Sequence, residues 1–193
     1  MAAIDFETPD PVNRFLAAWQ DWRGAQIVPS RALVRLEMIP ELLQYITIVD
    51  AAAPDRFMFR LSGTAIDRVA GNDLTGVDIL QLTAPSVRPI RARRMWAMAD
   101  HPCGCLVAFL HRYPSGIDLP AMGLTLPVRP TDPAVPMQLW TLFWRNRKLE
   151  ENGTPVRNII TDVPDRFAFV DIGAGAPAQD DEETVSLSDL ENG

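Results

Sequence analysis

The sequence is poor in the residues that ordinarily do chemistry. It holds only two histidines, His101 and His111, and neither sits in a zinc-ligand spacing or beside a nucleophile motif, so histidine-based catalysis and a zinc site have no sequence support. No Gly-Lys-Ser/Thr phosphate loop occurs, and Gly71-Asn72-Asp73-Leu74-Thr75-Gly76 lacks the glycine spacing and flanking strand of a dinucleotide fingerprint. No apolar run approaches the ~20 residues of a membrane-spanning helix, which predicts a protein with no membrane partner. The acidic N-terminus has neither a basic segment nor an apolar h-region, so a secretory signal is not expected and cytoplasmic residence is. The two cysteines, Cys103 and Cys105, are two apart on a predicted strand, a spacing unsuited to a disulfide, and are expected to be free and buried, with no metal partners nearby.

The formal charge of −7 looks like a statement about partners until its location is considered. Asp180, Asp181, Glu182, Glu183, Asp189 and Glu191 crowd the last fourteen residues without a basic neighbour, and setting these six aside leaves 19 acids against 18 basic residues. The body is therefore nearly neutral, which argues against nucleic acid as a partner. Residues 176–193 are expected to form an acidic, disordered tail, because they hold too little apolar surface to order themselves.

What is present is a patterned chain with one domain's worth of core. Residues 1–9 read as a leader, and Asp10-Pro11 opens a helix over 10–24 that Gly24 stops. Val12, Phe15, Leu16, Trp19 and Trp22 fall on one face of it. That stripe needs a surface to cover it, either this chain's own sheet or a second copy, and Phe15, Trp19 and Trp22 are the expected dimer interface. An irregular connector follows, then strands over 45–50 and 57–61 joined by a Pro-Asp turn. Gly63, Thr64 and Gly71-Asn72-Asp73 punctuate a short helix over 65–70, with Thr64 as its cap. Pro85 starts a longer helix to about Ala99, with Val87, Ile90, Met95 and Met98 as a partial buried stripe. Arg88, Arg91, Arg93 and Arg94 on that helix form the one basic cluster, read as a solvated face rather than a phosphate grip.

Strands over 103–112, 119–128 and 137–144 complete an antiparallel meander. The last carries Leu139, Trp140, Leu142, Phe143 and Trp144, large apolar groups on both faces, so the sheet needs a layer on each side. Residues 147–175 read as a C-terminal extension that includes a strand near 166–172.

Five segments sharpen this order into a resemblance: Pro29-Ser30-Arg31, Ile39-Pro40-Glu41-Leu42-Leu43, Ile46-Thr47-Ile48-Val49-Asp50, Arg60-Leu61-Ser62-Gly63-Thr64 and Gly71-Asn72-Asp73-Leu74-Thr75-Gly76. The chain resembles a bacterial family of short, stand-alone PAS-like proteins over about residues 10–145. The resemblance implies an α+β fold for residues 25–146, PAS-like, with a five-stranded antiparallel sheet carrying short helices on one face, preceded by the N-terminal amphipathic helix. It also implies a signal-transduction module without catalysis that binds a small molecule or a signalling protein partner, often as a homodimer. No histidine stands in the short helices as a haem ligand and no Asn-Cys flavin attachment motif occurs, so haem and covalent flavin have no support. In such a fold, alternation places Phe57, Phe59 and Leu61 opposite Ile66, Val69 and Leu74. Val107, Phe109, Met122 and Leu124 close the space from later strands, and Thr64 lies at its edge. These are the expected ligand-binding residues, with plain core as the competing reading. A structural dimerisation protein with a filled core, or more distantly an unrecognised small-molecule enzyme, remains open.

Overall fold

A computed structural model describes residues 8–145, 161–177 and 183–191, so most of the expected leader, Val156, Ile159, Ile160 and the acidic run 180–182 lie outside the described residues. Helix α1 (Asp10–Arg23) begins after Pro9, with Pro11 in its first turn where a missing N–H costs nothing, and ends at Gly24, whose positive φ of 51° is a conformation that favours glycine. Two 3-10 turns, Arg31–Leu33 and Leu36–Met38, and a 3-10 segment, Pro40–Tyr45, make up the connector.

Strands β1 (Ile46–Ala53) and β2 (Arg56–Ser62) form the expected hairpin. Helix α2 (Thr64–Ala70) then starts from Gly63 rather than from a Thr64 cap. Gly63 has ordinary extended dihedrals, and its reason is space: a Cβ there would lie 2.4 Å from the Gln44 carbonyl oxygen. Gly71 follows α2 at φ 82°, the left-handed stop. Helices α3 (Ile79–Leu82) and α4 (Arg88–Asp100) lead into β3 (Gly104–Arg112), β4 (Asp118–Val128) and β5 (Met137–Arg145).

The sheet has seven strands rather than five, in the order β2-β1-β5-β4-β3-β6-β7. Strand β6 (Arg166–Asp171) pairs antiparallel with β3, and β7 (Glu183–Ser186) pairs parallel with β6, which makes the sheet mixed. Part of the expected disordered tail is thus structured. Its four-residue strand needs little apolar surface of its own because β6 supplies a ladder, Arg166 pairs with Glu183 at 2.6 Å, and helix α5 (Leu187–Glu191) buries Leu190.

Antiparallel register fixes what each face carries. Trp140 pairs with Leu126 and Ile48, and Leu142 with Leu124 and Ile46, so these share one face. Helix α1 covers that face: Phe15 and Trp19 are fully buried, Trp22 nearly so, and Trp22 meets Trp140 edge-on at 6.0 Å. The Trp19 indole N–H donates to the Pro127 carbonyl at 2.8 Å. Phe15, Trp19 and Trp22, expected at a dimer interface, bury their rings on this chain's own sheet, because an unpaired sheet face beside them offers apolar area without any cost of association.

Candidate functional site

The opposite face carries Val49, Leu139, Thr141 and Thr125, which the same registers place together. Helix α4 lies across it without filling it. A partly open cavity of about 110 Å³ remains between helix and sheet. An apolar cavity of about 150 Å³ is enough to hold benzene, so this one is on the scale of a slender or small ligand.

The roof of the cavity is a single stripe of α4. Val87, Ile90, Arg91, Arg94, Met95 and Met98 recur at helical spacings of three and four, and all six line it. The expected buried stripe of α4 is thus at the cavity, but the arginine cluster is divided. Arg88 and Arg93 are exposed, whereas Arg91 and Arg94 belong to the lining stripe, so the reading of the whole cluster as a solvated face is corrected. Arg91 donates to the Thr83 hydroxyl at 3.0 Å and to the Asp162 carbonyl, and the Arg94 guanidinium stacks on the Phe167 ring at 4.0 Å. Burial pulls the Arg91 guanidinium down to about 10; the nearby Asp162 carboxylate opposes this and Arg94 adds to it. At neutral pH it remains a cation.

The floor carries a polar spot. Thr125 and Thr141 face each other across β4 and β5 with hydroxyl oxygens 2.8 Å apart, both buried. The Cys105 thiol lies beside Thr125, and burial pushes it up to about 11 despite the Thr125 hydrogen bond. Burial likewise raises Cys103, helped by Cys105 and Asp171. Both cysteines are free and buried, and thiols held neutral in this way are poor nucleophiles. Among the described residues no cluster of His, Cys, Asp and Glu is arranged to hold a metal.

Of the residues expected from sequence to bind a ligand, Phe59, Ile66 and Val107 line the cavity. Phe57 and Phe109 share its face of the sheet but are packed away from it as fully buried core, Phe109 edge-on to His111. Leu74 is core beside α2, tied by its N–H to the Asp67 carboxylate, while Thr64 is exposed and Val69 half-buried, and none of the three lines the cavity. Leu61 is wrong by face. The register jumps from Val49 opposite Phe59 to Ile48 opposite Leu61, leaving Arg60 as a bulge, and the bulge turns Leu61 to the other face, where it is 43% exposed. Met122 and Leu124 also belong to the α1 face, since Gly123 between them is the residue paired with Val107 and Phe143. A Cβ on Gly123 would lie 2.9 Å from Val107 Cγ2 and 3.1 Å from the Phe143 ring. Its absence lets those two side chains close the floor.

Sequence reasoning missed Thr125, Thr141, Cys105, Leu139 and Phe143, whose only signal was strand parity. It also missed Val163, Pro164 and Phe167, which reach the cavity from the segment entering β6. Thr125, Thr141 and the two arginines are the polar side chains of an otherwise mostly apolar lining.

The sheet order β2-β1-β5-β4-β3, the hairpin handing over to short helices and the helix over the sheet face agree with a family match: the model described as PAS domain matches residues 8–143. The chain belongs to the PAS domain family. No curated protein matches the chain. The PAS match includes α1 and ends inside β5, so β6, β7 and α5 are additions beyond it. One addition, through Phe167, helps wall the cavity. As a PAS domain the chain is in general terms a sensory or regulatory module, of a kind that is typically non-catalytic. Among the described residues no helix is long and apolar enough to cross a membrane.

Proposed function

We propose that this PAS domain is a signal-transduction module that binds a small molecule, without transforming it, in the cavity between α4 and the sheet. One observation carries the reading: the cavity is lined from both layers, largely by apolar groups, with polar side chains converging from roof and floor. Phe59, Ile66 and Val107 would contact the apolar part of such a ligand. Occupancy would be felt by α4, whose roof stripe would shift against β1 and β5 when the space below it fills.

The test is native mass spectrometry of the full chain, as purified and after incubation with a metabolite extract. A persistent non-covalent adduct, absent from a Met95→Trp variant that fills the cavity, is the expected result. A bare mass under both conditions, or an adduct indifferent to Met95→Trp, would rule the reading out.

A second reading has an observation of its own. The cavity is well below the ~300 Å³ at which ordinary small-molecule pockets begin. That favours a regulator that works through a signalling protein partner with its core essentially filled. A bare mass together with a chain already at full stability without additives is what this reading expects.

A further inference from the structure

The polar side chains of the cavity lining are already matched within the chain. Arg91 donates to the Thr83 hydroxyl and the Asp162 carbonyl, Arg94 lies on the Phe167 ring, and both have further interactions inside the protein. Among the described residues, no buried side-chain nitrogen or oxygen of the lining is without a hydrogen-bond partner. On the floor, Thr141, Thr125 and Cys105 form a row joined by two contacts, Thr141 with Thr125 at 2.8 Å and Thr125 with the Cys105 sulfur. Each of these groups owns one hydrogen, so the row uses all but one of them. The thiol is the weakest donor, and its hydrogen is the cheapest to leave unused. The hydroxyl hydrogens therefore run one way, Thr141 donating to Thr125 and Thr125 to sulfur, and neither is left over for a guest. The rest of the lining is aliphatic, aromatic or thioether, with Phe59, Phe143, Met95 and Met98 its largest groups. A polar head entering this space would lose its water and find no partner unless it broke a bond the protein already makes.

We infer that the cavity takes a small neutral molecule without a hydrogen-bonding group, hydrocarbon in character and no larger than a single ring. The volume of about 110 Å³ sets the size limit. A dry apolar cavity of about 150 Å³ admits benzene or xenon, and the flexible side chains of Met95 and Met98 supply the small give that a ring needs here. This rests on the cavity being a ligand site, as proposed above, and makes apolar fit rather than polar contact the selector.

Benzene and pyridine test it, since they are rings of one size that differ by a single acceptor nitrogen, with xenon as a smaller apolar probe. Each is titrated into the full chain carrying isotope-labelled methionine methyl groups. Binding is read from the Met95 and Met98 signals, with Met122 on the opposite face of the sheet as the silent control. Benzene is expected to bind roughly ten- to a hundredfold more tightly than pyridine, and xenon to shift the same two signals. Thr125→Val removes the acceptor of the Thr141 hydroxyl and frees its hydrogen, so pyridine should gain about tenfold in this variant while benzene stays unchanged. Thr141→Val leaves Thr125 bonded to sulfur, and pyridine should remain as weak as in the wild type.

Equal affinity for benzene and pyridine in the wild type, a comparison that needs no variant, overturns the apolar inference while leaving the cavity a ligand site. A pyridine affinity untouched by Thr125→Val overturns it too, because the bonded hydroxyls are then not what turns a polar guest away. If none of the three probes moves Met95 or Met98, the inference falls, and the native mass experiment decides separately whether the cavity binds anything.

Discussion

The two faces of one sheet are closed in opposite ways. On one, α1 lays Phe15, Trp19 and Trp22 against Trp140, Leu124 and Leu142, all of them buried to within a few per cent, and the Trp19 indole finds a carbonyl. On the other, α4 presents methionines, an isoleucine and two arginines to a floor that includes a threonine pair, Val107 and Phe143, and a space remains. The strands are the same strands, so the difference lies in the helices and in strand parity. Large rigid aromatics seal a face, whereas flexible methionines and a charged stripe tolerate a gap that another molecule can occupy. A sheet used in this way keeps its tight packing on one face and its free volume on the other.

The largest expected effect breaks the sealed face. Trp19→Ala removes a fully buried ring and its hydrogen bond to Pro127, and should cost about 3–5 kcal/mol in urea unfolding. A loss below about 1 kcal/mol would mean that α1 is not a structural layer. In that event Trp19 could again be considered for an interface between copies.

A matched pair of glycines sharpens the contrast, because one stands on each face. A Cβ on Gly104, on the α1 face, would lie 2.7 Å from the Thr125 carbonyl oxygen and 3.3 Å from Val170 Cβ, so backbone would have to move. A Cβ on Gly123, on the cavity face, would press first on Val107 and Phe143, side chains that line the cavity. Overpacking typically costs about 1–3 kcal/mol. Gly104→Ala is expected in the upper part of that range and Gly123→Ala at the bottom or below, measured by the same denaturation. Equal losses would show that the cavity provides no slack.

The contrast was only half legible in the sequence. The sealed face was readable because Trp19 and Trp22 carry a strong helical period and the last long strand shows large groups on alternate sides, which demands two layers. The hairpin and the short helices were readable from their turn residues. The cavity face was not, because parity depends on register. A single bulged residue, Arg60, reversed Leu61, and Gly123 rather than its larger neighbours proved to face Val107. Arg91 and Arg94 looked like solvent charges since arginine is usually exposed, yet their spacing from Val87 and Met98 already placed them on the buried stripe. The seventh strand escaped notice for a different reason: β7 draws its order from the β6 edge, a neighbour that local composition does not reveal.

The smallest effect concerns the threonine pair on the cavity floor. Thr125 and Thr141 satisfy each other's hydroxyls in a buried setting, with the Cys105 thiol as a weak extra partner of Thr125. Thr125→Val leaves the Thr141 hydroxyl without that bond and should cost about 1–2 kcal/mol. Thr141→Val should cost somewhat less, since Thr125 keeps the thiol. The double variant replaces both partners by apolar groups of the same shape and should be nearly neutral, so the cycle should return a coupling energy close to the sum of the two single losses. Additive losses would mean that the two hydroxyls are not bonded to one another.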